Sequence, residues 1–112
     1  MQIGNNDTNF SFGIGCKTNY LNINYAYIHN NDIDLLIPHQ ASGLAVKAYS
    51  KYGGFSEDKV INIIETTGNC VAASIPLALA LANKNKKLKR NNLIYFIGTG
   101  AGLSVASLLL KF

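Results

Sequence analysis

The pattern of hydrophobic and polar positions changes at about residue 32. Residues 1–31 are rich in Asn, Thr, Gly and Tyr, and their apolar positions form short islands. Within them, the alternation in Leu21–Tyr27 predicts one strand, because successive residues of a strand face opposite sides. From residue 33 onward the apolar runs are longer and are separated by turn residues. We therefore divide the chain into a divergent segment, residues 1–32, to which we assign no structure as a whole, and a regular segment, residues 33–112.

The regular segment begins with a predicted strand and an amphipathic helix. Leu35–Ile37 is a short apolar run that ends at Pro38, which is typical of a buried strand. Ser42 is a suitable N-cap, and Gly53 with Gly54 predicts the end of the helix. Between them, apolar and aromatic residues recur on one helical face, namely Leu44, Ala45, Ala48, Tyr49 and Tyr52.

A second strand and a second helix are predicted next. The β-branched run Val60–Ile64 favours a strand, and residues 66–69 favour a loop. A helix is expected over residues 72–83, with Pro76 in its first turn, where proline is tolerated. Residues 75–82 of this helix have no polar face, so the helix must be covered on every side.

The last part of the chain predicts two strands joined by a tight turn. Leu93–Ile97 is the third predicted strand, residues 98–102 form a glycine-rich turn, and residues 103–110 form the fourth strand, antiparallel to the third. The order β-α-β-α-β-β indicates the α/β class, with a sheet buried on both faces. One domain of 112 residues can hardly cover the apolar helix, so the fold looks incomplete.

Composition and charge narrow the class of protein. A hydrophobic share of 48% with 14% charged residues is typical of a globular protein. No apolar run reaches the roughly 18 residues of a membrane span, and no signal peptide is visible. With only two cysteines, Cys16 and Cys70, we expect a cytoplasmic protein without a disulfide scaffold and without membrane contact.

The net charge of +4 permits an acidic partner, such as a carrier protein, or a phosphate-bearing ligand. Half of the basic residues lie in one stretch, residues 84–90. No aromatic residue is interleaved there for base stacking, so we expect a solvated helix end and no nucleic acid partner.

Two polar residues follow the predicted strands, where α/β sheets form their ligand crevices. The placement of His39 leaves three roles open about equally: a general base, a hydrogen-bond donor to an oxyanion, and a structural histidine. For Asn69, which follows Gly68, a loop or capping role is the commoner one, although its amide could donate to an oxyanion.

Other kinds of site are not supported. The segment Gly98-x-Gly100-x-Gly102 is followed by a strand-like run and not by a helix, so it is not a dinucleotide fingerprint. Its glycines favour a turn or a close approach of the backbone to a ligand. No cysteine or histidine pair has the short spacing of a zinc site, so no metal is expected.

Three motifs occur in order along residues 33–112: Ile37-Pro38-His39-Gln40-Ala41-Ser42, the segment that starts Gly68-Asn69-Cys70 and ends at Leu79, and Gly98-Thr99-Gly100-Ala101-Gly102-Leu103. Together they resemble the C-terminal domain of β-ketoacyl-acyl-carrier-protein synthase III. The resemblance implies a thiolase-like fold, in which two similar α/β halves pack as a layered αβαβα sandwich. Residues 33–112 would be the C-terminal half, and its central layer would bury the apolar helix.

The resemblance also implies a Cys-His-Asn active site. The activity would be the decarboxylative condensation of acyl-CoA with malonyl-carrier protein in fatty acid biosynthesis, without a cofactor. His39 and Asn69 match the family's catalytic His and Asn, and both would hydrogen-bond the malonyl thioester oxygen as enolate charge develops there. The resemblance further implies substrate contacts at Gln40, Ser42, Gly100 and Gly102. Carrier-protein contacts are expected at Lys47 and Lys51, which lie on the helix where the family usually has a basic residue.

Three departures from the family pattern bear on these expectations. The family's nucleophilic cysteine belongs to an N-terminal half that this sequence lacks, and the surroundings of Cys16 lack the apolar helix that this nucleophile heads. Ser42 and Leu44 stand where the family usually has Asn and a basic residue, so Lys47 and Lys51 are expected to substitute. Cys70 stands where Thr is common, and we expect it to be a packing residue.

We therefore expect this chain to supply the His and Asn of a Cys-His-Asn site and to be inactive alone. Its expected partners are the missing N-terminal catalytic half or a homologous subunit, acyl carrier protein and coenzyme A thioesters. The isolated chain should self-associate through exposed apolar surface. Two alternatives stay open: a non-catalytic relic or interaction module of the same fold, and a thiolase-fold acyltransferase of different chemistry.

Overall fold

The computed structural model describes residues 30–102 and 104–112. It contains three strands, β1 (Leu35–Pro38), β2 (Leu93–Gly100) and β3 (Ser104–Lys111), and three α-helices, α1 (Gly43–Gly53), α2 (Ile64–Thr67) and α3 (Ser74–Lys84). Short 3₁₀ turns occupy Asn30–Asp32, Glu57–Lys59 and Val71–Ala73. The strand predicted at residues 21–27, together with Cys16, lies outside the described residues.

The strands form one sheet in the order β1-β2-β3. β1 and β2 are parallel, with Leu36 opposite Tyr95, so their carboxyl ends meet at the same edge of the sheet. The long connection that a parallel pair requires contains all three α-helices. β2 and β3 are antiparallel, with Tyr95 opposite Leu109, which confirms the prediction for this pair.

Both predicted helices are present: α1 has the predicted ends, whereas α3 begins at Ser74, two residues after its predicted start, and ends at Lys84. The Ser42 hydroxyl accepts a hydrogen bond from the Ala45 N–H at 3.1 Å and so caps α1, and Gly54 closes this helix with a left-handed φ of 73°. α3 begins at Ser74, which places Pro76 in its first turn.

The predicted strand Val60–Ile64 is wrong. Val60 forms only a single parallel bridge to Leu36, and the chain then turns into α2. The physical reason is that side chains take the N–H groups that a ladder would use: Ile63 N–H donates to Gln40 Oε1 at 3.0 Å, and Ile64 N–H donates to Asn62 Oδ1 at 3.2 Å. Residues 66–67, predicted as loop, complete this short helix.

The glycine-rich turn predicted at residues 98–102 is also shorter than expected. Gly98–Gly100 continue β2, and Gly98 pairs with Ala106. The register with β3 therefore overrides the local preference of glycine for turns. Gly102, with a φ of 76°, lies in the turn itself, where a left-handed conformation favours glycine.

Helices lie on both faces of the sheet. Leu36 and Ile37 are adjacent in β1 and face opposite sides, so each belongs to a different core cluster. Ile37 packs in a cluster with Ala78 of α3, and Leu36 packs in a cluster with Val46 of α1. This arrangement is the one expected of the α/β class.

Part of the apolar surface is uncovered. On β3, Val105 is 63% exposed and Leu108 is 62% exposed. On α3, Pro76 and Ala80 are exposed although the helix has no polar face there. No helix within the described ranges is both long enough and apolar enough to cross a lipid bilayer. The uncovered faces are those that a further layer of protein would bury.

We expect Ser42→Ala to lower the free energy of unfolding by about 1 kcal/mol, because the Ala45 N–H loses its capping acceptor. Ser42→Asp keeps a capping oxygen, so it should lower the free energy of unfolding by only about a few tenths of a kcal/mol. Chemical denaturation of the variants measures both effects. A loss for the aspartate variant as large as that for the alanine variant would contradict the capping role.

Candidate active site

His39 lies at the carboxyl edge of the sheet, immediately after β1. Its backbone N–H donates to Ile97 O at 2.7 Å, so the pairing of β1 with β2 continues for one residue beyond the strand. His39 is half-buried and borders a cleft of about 390 Å³. The other lining residues come from the loop before α3, α3 itself, β2 and β3, namely Val71, Ala72, Ile75, Gly98–Gly100 and Ser104–Ala106.

The β2 wall of the cleft is built from residues with small side chains. A Cβ added to Gly98 would lie 3.6 Å from Ile75 Cδ1, and one added to Gly100 would lie 3.7 Å from Ser104 Cβ. Both are ordinary van der Waals distances, so packing among the described residues does not require glycine here. The effect of Gly98 and Gly100 is to keep this wall low and the backbone accessible.

Asn69 lies in the loop between α2 and α3 and contacts the segment that follows His39. Its Nδ2 donates to the Ala41 carbonyl at 3.4 Å, and its Oδ1 accepts from the Val71 N–H at 2.8 Å. Ala41 is two residues beyond His39, and its own N–H donates to the His39 carbonyl at 3.0 Å. The structure therefore brings the two segments together, although Asn69 is exposed and is not among the residues that line the cleft.

Short-range hydrogen bonds hold the Asn69 loop. The buried Ser74 hydroxyl accepts from the Cys70 N–H at 3.1 Å, and the Cys70 thiol donates to the Thr67 carbonyl at 3.4 Å. Gly68 ends α2 with a φ of 66°, in the left-handed region. Cys70 is half-buried and bonded within its own loop, in keeping with the packing role expected from sequence.

Gln40 is fully buried, and its carboxamide hydrogen-bonds to backbone groups. Its Nε2 donates to Pro38 O at 2.9 Å and to Ile61 O at 3.1 Å, and its Oε1 accepts from the Ile63 N–H. These contacts indicate a structural role, because the carboxamide joins the end of β1 to the segment that leads into α2. The substrate contact predicted for Gln40 stays a prediction.

The other predicted site residues are spread more widely. Gly100 borders the cleft, whereas Gly102 lies in the turn beyond it. The Ser42 hydroxyl is engaged as the α1 cap. Lys47 and Lys51 are exposed one helical turn apart on α1, and Lys51 Nζ lies 5.0 Å from the centre of the Tyr52 ring.

Sequence reasoning missed two features. One is the cleft wall formed by Val71 and its neighbours, which depends on a left-handed φ that a β-branched residue rarely adopts. The other is an apolar groove of about 500 Å³ on the opposite face, between α1 and the strands β2 and β3. Tyr49 lies in this groove, and burial raises its pKa, with the nearby Tyr95 adding to the effect. The spacing of Tyr49 and Tyr52 on one helical face was its only signal in the sequence.

Among the described residues, no three His, Cys, Asp or Glu side chains lie close enough together to hold a metal ion. The polar side chains that line the cleft are the His39 imidazole and the hydroxyls of Thr99 and Ser104, and the Asn69 carboxamide lies in the neighbouring loop. Such N–H and O–H groups can hydrogen-bond an oxygen on which negative charge develops.

A mixed sheet covered by helices on both faces, with His and Asn at its carboxyl edge, places the chain in the thiolase-like class as a C-terminal half. Residues 23–112 match the family model described as 3-oxoacyl-[acyl-carrier-protein (ACP)] synthase III C terminal, and the chain belongs to this family. The match begins upstream of the domain boundary predicted at residue 33, which stays a prediction.

Individual relatives agree with this assignment. The chain is 47% identical over 81 residues to the β-ketoacyl-[acyl-carrier-protein] synthase III of Wolbachia pipientis subsp. Culex pipiens, covering 72% of this chain and 26% of the relative. It superposes on the 3-oxoacyl-[acyl-carrier-protein] synthase III of Aquifex aeolicus with a TM-score of 0.71 at 37% identity, covering 74% of this chain and 27% of that one.

The similarity extends to OleA of Xanthomonas campestris, solved with acetamide bound. Here the TM-score is 0.72 at 27% identity, and the match covers 76% of this chain and 26% of that one. The chain thus spans about a quarter of the length of the proteins it matches.

We expect Gln40→Leu to lower the free energy of unfolding by about 3 kcal/mol or more, since two carbonyls and one N–H lose their partner and each orphaned group costs roughly 1–3 kcal/mol. Leu44→Ala is the matched control, because Leu44 is 84% exposed and its truncation should change stability by less than about 0.5 kcal/mol. Equal stability of the Gln40→Leu variant and the wild type in denaturant titrations would rule out the structural role of Gln40.

Proposed function

We propose that this chain supplies the C-terminal part of the active site of a 3-oxoacyl-[acyl-carrier-protein] synthase III-type acyltransferase. The reaction is the decarboxylative condensation of acyl-CoA with malonyl-carrier protein. The observation that carries the proposal is the hydrogen bond from Asn69 to the Ala41 carbonyl, which holds the Asn69 loop against the segment that follows His39. His39 and Asn69 are also the residues that match the family's catalytic His and Asn.

The chemistry follows from the two side chains. When the bond between the malonyl carboxylate and its α-carbon breaks, CO₂ leaves and the electron pair moves toward the thioester oxygen. An imidazole N–H of His39 and an N–H of Asn69 would donate to this oxygen as its negative charge develops. The enolate carbon then attacks the acyl thioester carried by a cysteine and releases the cysteine thiolate. Donors aimed at such an oxygen are typically worth about 3 kcal/mol, which is roughly a hundredfold or more in rate.

The acyl-carrying cysteine must come from protein outside the described residues. We propose that an N-terminal catalytic half, or a homologous subunit, supplies it and packs on the uncovered faces of α3 and β3. The exposed apolar residues on these elements, among them Leu108 and Pro76, support this arrangement. Without that partner, the chain should self-associate through the same faces.

The substrates would approach from the cleft at the sheet edge. Of the predicted substrate contacts, Gly100 is the best placed, because it borders the cleft beside His39. Lys47 and Lys51 are exposed on one side of α1 and would attract an acidic acyl carrier protein. With few cysteines in the sequence, we place the protein in the reducing cytoplasm.

A second candidate is an acyltransferase of the same fold with different chemistry, because one fold can carry several reactions and the structural similarity is not confined to the synthases but extends to OleA. The two candidates differ in what leaves the substrate. A synthase III-type enzyme releases CO₂ from a malonyl thioester, so measuring this release separates them.

We expect the chain, mixed with the N-terminal part of the Wolbachia pipientis relative, to release CO₂ from a malonyl thioester. His39→Ala and Asn69→Ala should each lower the rate about a hundredfold or more, because each removes a donor to the developing oxyanion. Asn83→Ala is the matched control, since Asn83 is exposed near the end of α3, away from the cleft.

The outcomes separate the hypotheses. Wild-type rates in the His39→Ala and Asn69→Ala mixtures would reject these residues as catalytic. A mixture that forms a complex but releases no CO₂ would favour the non-catalytic relic or the acyltransferase of different chemistry.

A further inference from the structure

Val71 adopts a backbone conformation that its side chain disfavours. Its φ is 52°, in the left-handed region, where a β-branched residue is a genuine outlier. The side chain is 73% exposed, so burial of the isopropyl group does not impose this conformation. Backbone strain of this kind persists where the surrounding structure requires it, and it clusters at functional sites.

The contact that accompanies the strain is the hydrogen bond from the Val71 N–H to Asn69 Oδ1, at 2.8 Å. Val71 is the first residue of the 3₁₀ turn Val71–Ala73, and α3 follows this turn directly. The chain therefore changes direction at Val71, through the left-handed φ of this residue. This φ allows the Val71 N–H to face Asn69 while the residues that follow stay in place against the sheet.

This hydrogen bond decides which end of the Asn69 carboxamide is free to donate. A backbone N–H can only donate, so the atom it meets must be Oδ1. The Ala41 carbonyl can only accept, so the atom it meets at 3.4 Å must be Nδ2. The two contacts agree on one orientation, in which the NH₂ group lies toward the segment that carries His39.

We propose that Val71 is a positioning residue, whose strained left-handed turn holds its N–H on Asn69 Oδ1 and so presents the Asn69 NH₂ group to the substrate oxygen. The proposal rests on the proposed function of Asn69 as a donor. A carboxamide free to rotate by half a turn would instead present Oδ1, which would repel a developing oxyanion. Orienting the donor before the reaction removes this alternative.

The first test is a spectroscopic signature in the full chain. We expect a through-hydrogen-bond scalar coupling between the Val71 amide nitrogen and the Asn69 Cγ, measured by NMR. We also expect the Val71 N–H to exchange with solvent about fivefold to tenfold faster in Asn69→Ala than in the wild type. Asn69→Asp keeps an acceptor oxygen and should retain the slow exchange.

Substitutions at residue 71 separate the N–H from the side chain. Val71→Gly keeps the N–H and adopts a positive φ without strain, so the coupling to Asn69 should persist. Val71→Pro removes the N–H and fixes φ near −65°, so the contact must be lost. If Val71→Pro does not fold, the comparison of the wild type with Asn69→Ala still decides the proposal.

Activity in the mixture with the N-terminal part provides the second readout. Asn69→Asp should lower kcat about a hundredfold with little change in KM, because it preserves the Val71 contact but removes the donor. Absence of the coupling in the wild type, or equal exchange rates in the wild type and Asn69→Ala, would overturn the role of Val71. If the coupling is present but Asn69→Ala and Asn69→Asp both keep wild-type kcat, the function proposed for Asn69 fails and the presentation of its NH₂ group to the substrate fails with it.

Discussion

The buried carboxamide of Gln40 is the interaction on which the rest of the site depends. It joins Pro38, at the end of β1, to Ile61 and Ile63, which precede α2. In doing so it takes the place of the ladder that a longer second strand would have made. A buried polar group with all of its partners in place is stabilising, whereas the same group half satisfied would be costly. This connection holds the segment that leads into α2 and the Asn69 loop against the end of β1, which His39 follows directly.

Local signals in the sequence were sufficient for most of the fold. The apolar run ending at Pro38, the Ser42 cap and the Gly53–Gly54 stop predicted β1 and α1, because each depends on neighbouring residues alone. The strand predicted over Val60–Ile64 is wrong because Gln40, more than twenty residues away, accepts the hydrogen bond from the Ile63 N–H. Gly98–Gly100 were misread for a similar reason, since the register with β3 keeps them in the strand.

The candidate site, like the fold, could be predicted from the sequence only in part. The positions of His39 and Asn69 at the ends of predicted elements, and their family motifs, could be recognised in the sequence. Their mutual arrangement could not, because it depends on the contact of Asn69 with Ala41. The left-handed conformation of Val71 could not be predicted either, because β-branched residues strongly disfavour it.

The uncovered apolar faces of α3 and β3 and the proposed chemistry support the same interpretation, namely that the chain functions together with a partner. The chain covers 26% of a relative such as that of Wolbachia pipientis, and in the proposed function it supplies hydrogen-bond donors for one half of a reaction. A helix without a polar face and an apolar outer strand are unfavourable in water but are suited to the interior of a larger layered molecule. On this account, the fold positions donors at a sheet edge and a partner supplies the nucleophile.

The most direct measurement is an NMR titration of the chain, in complex with the N-terminal part of a relative, with an unreactive malonyl-pantetheine amide. The account predicts that the side-chain nitrogens of His39 and Asn69 shift together, along with the backbone amides of Gly98–Gly100. Binding of the analogue without a shift of either side chain would contradict it.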